Sequence, residues 1–257
     1  MIQFVIDENN AGRPTYLNLK GDLMEAIIPS DKRYNPKMHD MFLPTPQDTA
    51  SALVTVLKPV AEFILAIGDG NHEIKLQNIM NFGKHMAEML GVPHGAYTYV
   101  TQFRDSKGNQ LFKTLSTHGY GSLPKGAKDP IQRKANQMAA LKRKLEGTAF
   151  ADCIYKSMGH THKLLVVEPT FTQEIILTTT AHEIRSKQIP KVIQNSSYIP
   201  SEQCWFANTG GFLKLYTPPG LGLTGYAEMM LLPPTDLGWV EVDIAEGEII
   251  DVYGRKI

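Results

Sequence analysis

The run EFILAI (62–67) is short and wholly apolar after its first residue, and it stops at Gly68-Asp69-Gly70-Asn71-His72-Glu73. A segment of that length without polar alternation suits a strand buried on both faces. The residues that follow predict a long helix from Ile74 to Leu90, ended by Gly91. A buried strand, a glycine-flanked polar corner and a helix form a unit that must bury its apolar faces on a sheet with helices packed against it.

The neighbouring segments extend this pattern. Residues 1–10 leave helix and strand both open: Ile2, Val5 and Ile6 fit one helical face, and Asn9 to Gly12 reads as a helix end. PTYLNLK (14–20) alternates like a strand and runs into Gly21-Asp22. Residues 26–46, rich in Pro, Asp and Lys, read as a long loop, and Thr45-Pro46 opens a helix near 47–58 that Pro59 closes. AYTYVTQFR and QLFKTLST flank DSKGN as a hairpin. A Gly/Pro/Lys-rich loop (119–130) and a helix with a dense positive face (131–146) follow, and DCIYKSM is a strand ending at Gly159. The remainder reads as short strands: KLLVVEP, QEIILTT, QCWFANT, FLKLY, YAEMMLL and WVEVDI. No internal repeat or low-complexity linker divides residues 1–257, so a single α/β domain is expected, one sheet feeding into a second with helices outside.

Composition narrows the function classes. Lys and Arg balance Asp and Glu at 26 each, which excludes a global basic excess of the kind that drives non-specific nucleic-acid binding. Two cysteines, Cys153 and Cys204, cannot build a disulfide framework and suit a reducing compartment, so a cytoplasmic location is expected. No apolar stretch is long enough to span a bilayer, and MIQFVIDENN lacks the basic and apolar regions of a secretory signal. Oligomeric state leaves no trace in the sequence.

Chemistry concentrates just after the strands. Gly21-Asp22, Gly70-Asn71-His72-Glu73, His118-Gly119 and Gly159-His160-Thr161-His162 each follow one. In α/β sheets, ligands bind outside the carboxyl ends of strands, and glycine permits tight turns and close backbone approach there. Asp, Asn and His without thiolate suit Mn, Fe or Zn.

GD, GNHE, HG and GHTH in this order resemble the calcineurin-like metallophosphoesterases, over roughly Pro14 to Leu215, with NTGGFL (208–213) similar to the strand after GHTH. The resemblance implies a four-layer sandwich, two mixed β-sheets packed face to face with flanking helices. It also implies two divalent metals at the strand ends, with Mn the default and Fe, Zn or Mg as alternatives. Asp22 would bridge both metals; Asn71, His118 and His160 would complete one shell; His162 would bind the other metal. His72 would serve the leaving group as proton donor or charge stabiliser, oriented by Glu25, which stands where the family usually has Asp. A bridging hydroxide would attack phosphorus in a phosphomono- or phosphodiester.

The family's Asp-x-His motif has no counterpart in the twenty residues before Gly21, and Asp7 is a poor substitute. The expectation is a chain lacking its first strand, with a one-metal or inactive descendant as the alternative. A competing reading is a catalytically degenerate protein of the same fold that binds nucleic acid or a protein partner. Its support is the basic segment, in which Lys125, Lys128 and Arg133 are candidates to draw in a phosphate-rich substrate; the simpler reading of the segment, Lys134, Lys142, Arg143 and Lys144 included, is a solvated helix face. His94 rivals His118 but precedes its strand. His39, His85 and His182 read as surface or packing residues, Asp69 as a turn former, and the cysteines, Trp205, Phe206, Tyr226, Met229 and Met230 as core.

Overall fold

The computed structural model describes residues 1–25, 27–30, 45–147, 149–170, 173–179, 184–190, 193–212, 228 and 235–257. In chain order the elements are α1 (Ile2–Asn10), β1 (Leu17–Leu19), α2 (Pro46–Leu57), β2 (Ile64–Gly68), α3 (Asn71–Lys75), α4 (Phe82–Leu90), β3 (His94–Ala96), β4 (Thr98–Arg104), β5 (Gln110–Thr117), α5 (Pro130–Glu146), β6 (Tyr155–Met158), β7 (Leu165–Val167), β8 (Gln173–Thr179), β9 (Ile184–Pro190), β10 (Trp205–Asn208), β11 (Gly238–Ala245) and β12 (Glu248–Lys256).

The fold is mixed α/β. A three-stranded parallel sheet has the order β1-β2-β3, and a five-stranded mixed sheet has the order β4-β5-β6-β10-β7. The chain passes from the first sheet into the second between Ala96 and Thr98. Residue 1–10 resolves to a helix whose Val5 is buried. Thr45 caps α2 in a capping box with Asp48, with Pro46 in the first turn, a cap of about 1 kcal/mol. The hairpin β4–β5 and the helix α5 form as expected.

One apolar core joins α1, α2 and α4 to the first sheet through Val5, Val54, Leu57, Ile67 and Met86. Another joins α5 and β12 to the second sheet through Leu141, Leu145, Phe112, Phe206 and Val252. Polar contacts bridge the two sheets. Asn18 Nδ2 donates to Ser116 Oγ (3.0 Å), and Lys20 Nζ donates to Ser116 Oγ and Ser157 Oγ (2.8 Å each).

Two expectations change. The long helix over 74–90 is two helices, because Asn81 caps a new one: its Oδ1 accepts from Lys84 N at 2.9 Å. The sequence also concealed β3, β9 and β12. The β11–β12 hairpin turns at Glu246-Gly247, both with positive φ (52° and 83°), the requirement of the two-residue turn that matches strand twist. The loop expected over 26–46 and the strands FLKLY and YAEMMLL lie mostly outside the described residues. Among the described residues, no helix is long and apolar enough to cross a membrane.

Candidate metal centre

The first two corners interlock. A Cβ on Gly70 would sit 2.1 Å from Asp22 Oδ1, and one on Gly21 would sit 2.1 Å from Gly70 N, so neither position admits a side chain. Gly21 also has φ +83°, a conformation natural to glycine. Glu73, only 1% exposed, closes the corner. Its Oε2 accepts from Gly70 N (2.8 Å) and Asp22 N (2.9 Å), and its Oε1 from Leu23 N (2.8 Å). Burial raises its carboxyl above the usual range, and these amides oppose the shift. Sequence reasoning gave Glu73 no role. Its signal was the spacing: an acid three residues after a helix N-cap returns to the cap's amide.

Asp22 is thereby aimed. Its Oδ1 accepts from His72 N at 2.9 Å, and its Oδ2 lies 3.1 Å from His118 Nε2. His118 is buried at the end of β5, with Nδ1 2.9 Å from the Lys20 carbonyl. A carbonyl only accepts, so Nδ1 carries a proton, and Nε2, once it gives up its own, turns a lone pair to the cluster. Asn71 Oδ1 lies 3.1 Å from His118 Nε2 and 2.9 Å from His160 Nδ1, and the two imidazole nitrogens are 3.2 Å apart. The ligand atoms of Asp22, His118 and His160 all fall within 4.8 Å of one another; among the described residues this is the one such group.

The electrostatics suit a cation. Burial works against charge on His118, but the Asp22 carboxylate beside it prevails and raises its pKa. Burial works against charge on Asp22 too, and the His118 ring and His72 amide prevail and lower its pKa. Burial lowers His160 and His162, leaving neutral rings near neutral pH, the ligand form. Two imidazole nitrogens, a carboxylate oxygen and an amide oxygen, with no thiolate, fit a divalent cation of the Mn, Fe or Zn kind.

The other candidates lie at graded distance. His162 stands outside the close cluster, its ring beside Gly211, where a Cβ would be 3.6 Å from His162 Cδ2. The Nδ1 of His72 meets the Met24 carbonyl oxygen at 3.1 Å. That backbone oxygen takes the place expected for Glu25; among the described residues no hydrogen bond joins Glu25 to His72, because the exposed Glu25 side chain is one residue past the point of contact. Lys125 and Lys128 are exposed and line no part of the cleft. Arg133 spends its guanidinium on the Ala127 and Lys128 carbonyls (2.8 and 3.1 Å) and is likewise outside it. Asp69 is more than a turn former: it is buried and 3.1 Å from His94 Nε2, a pairing that keeps both apart from the cluster. Cys153 and Cys204 are buried, their thiols pushed up to about 12 and about 11 by desolvation, as packing residues would be.

The cluster opens on a cleft of 1770 Å³ that Asp22, Asn71, His72, His118, His160 and His162 all line. Lys20 reaches the same cleft, and burial pushes its ammonium down to about 7. No protein-family model matches this chain, and no curated protein matches it.

Proposed function

We propose that this chain is a metal-dependent phosphoesterase that hydrolyses phosphomono- or phosphodiesters at the cleft. The observation that carries the reading is the convergence of Asp22, Asn71, His118 and His160, each from the end of a different strand, with the other three meeting His118 Nε2 at 3.1 to 3.2 Å. These four residues would hold a divalent cation. Bound there, such a cation supplies Lewis acidity toward a phosphoryl oxygen and lowers the pKa of water. His72, with Nδ1 committed to the Met24 carbonyl, keeps Nε2 for a proton at the leaving group. His162 adds an imidazole on the cleft wall that would help to hold a second cation.

We also infer the finer architecture, a four-layer sandwich. The contacts of Asn18 and Lys20 with Ser116 and Ser157 support stacked sheets, and the two separate apolar cores support helices on the outer faces. A one-metal binding protein without turnover is the second reading. It is favoured by one observation: His162 lies outside the close ligand group.

The test is hydrolysis of bis(4-nitrophenyl) phosphate by the Mn²⁺-loaded chain. Turnover that needs the metal and falls at least about 100-fold in Asn71→Ala or His118→Ala supports the proposal. Turnover unchanged by either substitution rejects it, and metal binding without turnover selects the second reading.

A further inference from the structure

We propose that Phe212 and Trp239 form a stacking platform in the cleft that the metal-ligand cluster lines and take the planar ring of the phosphoester, a nucleobase or an aryl group. This rests on the phosphoesterase reading and gives it a substrate class. The two rings are near parallel, 15° apart with centroids at 6.4 Å. Both line the same cleft as Asp22, His118 and His160. Gly211, next to Phe212, packs beside His162, which lines the cleft as well.

The platform is held before any ligand arrives. Trp239 Nε1 donates to Glu241 Oε1 at 2.8 Å. Glu241 is fixed in turn by Tyr253 Oη at 2.8 Å and Arg255 Nη2 at 3.0 Å. Phe4 of α1 packs on the indole at 5.7 Å. Backbone bonds from Gly211 N to the Asp236 carbonyl and from Gly238 N to the Gly211 carbonyl, 3.2 Å each, tie the Phe212 segment to the start of β11. Phe212 nonetheless leaves 56% of its surface exposed. A rigid indole with an exposed phenyl beside it loses little freedom on binding a flat ring, and stacking accepts any base because every base has a π-face.

The experiment is calorimetric titration of AMP and of ribose 5-phosphate into the Mn²⁺-loaded chain, with tryptophan emission recorded in parallel. The two ligands share the phosphate and differ in the ring. AMP binds about tenfold tighter, Phe212→Ala removes the difference and Phe212→Tyr restores it. AMP alone quenches the emission, through Trp239, because the other tryptophan, Trp205, is buried. Equal affinities, or no binding of either ligand, overturn the platform. AMP preference without hydrolysis of any phosphoester leaves the platform standing and overturns the phosphoesterase reading alone.

Discussion

The corner formed by Gly21-Asp22 with Gly70–Glu73 and the corner formed by Gly159–His162 deliver ligands to one point by different means. In the first, a buried carboxylate accepts three backbone amides and two glycines let the strand ends touch. Protein bonds alone set its geometry, the positive φ of Asp22 (+51°) included, since Glu73 holds the Asp22 amide. In the second, His160 and His162 adopt φ of +64° and +52°, each at a cost of about 1 kcal/mol for an L-residue. Thr161 Oγ1 between them is buried without a hydrogen-bond partner among the described residues. That turn is anchored at its base, by Gly159 N to the His118 carbonyl (3.1 Å), and carries strain at its tip. Half of the centre is preorganised; the other half holds a strained loop that a cation would stabilise by coordination.

The largest effect that would break this contrast lies in the first corner. Glu73→Ala leaves three amides without their acceptor and costs about 4 kcal/mol of stability, read by urea unfolding. A loss under about 1 kcal/mol would mean the carboxylate is not the clamp. In the second corner, His160→Ala lowers Mn²⁺ affinity about 100-fold while metal-free stability moves by less than about 0.5 kcal/mol. Calorimetry with and without metal checks both halves. Next, adding Mn²⁺ slows amide exchange about tenfold at residues 159–163 and hardly at 70–75; equal slowing would show equal preorganisation. The last effect is on pH. His118 has a raised pKa, so its pairing with Asp22 stabilises the metal-free fold below the unfolded value and is lost as pH rises through the folded value. The cation must displace that same proton. Mn²⁺ affinity therefore falls as pH drops from about 8 to about 6, by up to about tenfold per unit below the folded pKa.

The same contrast explains what could be read from the sequence. The polar corners were legible because each follows a strand and has a glycine beside it, and the hairpin and the Thr45 cap were legible because their signals are local. Of Glu73 only the bond to the Gly70 amide had a local signal; its partners at Asp22 and Leu23 are about fifty residues away, and only the folded sheet brings them together. The break before α4 was hidden because apolar periodicity continues across Asn81, which acts as a cap only once the chain turns there. The short β3 and the Glu-Gly hairpin before β12 carry weaker signals than an Asn-Gly turn would. Glu25 was assigned by resemblance, and a backbone carbonyl, present at every residue, fills the place at His72.

The most direct test of the central claim is calorimetric titration of Mn²⁺ into the chain and into His118→Ala, each confirmed folded by circular dichroism. The structure predicts tight binding of a cation by the native chain and its loss in the variant, because His118 Nε2 touches the ligand atoms of Asp22, Asn71 and His160. Binding of equal strength in both proteins, or none in the native chain, would contradict the account.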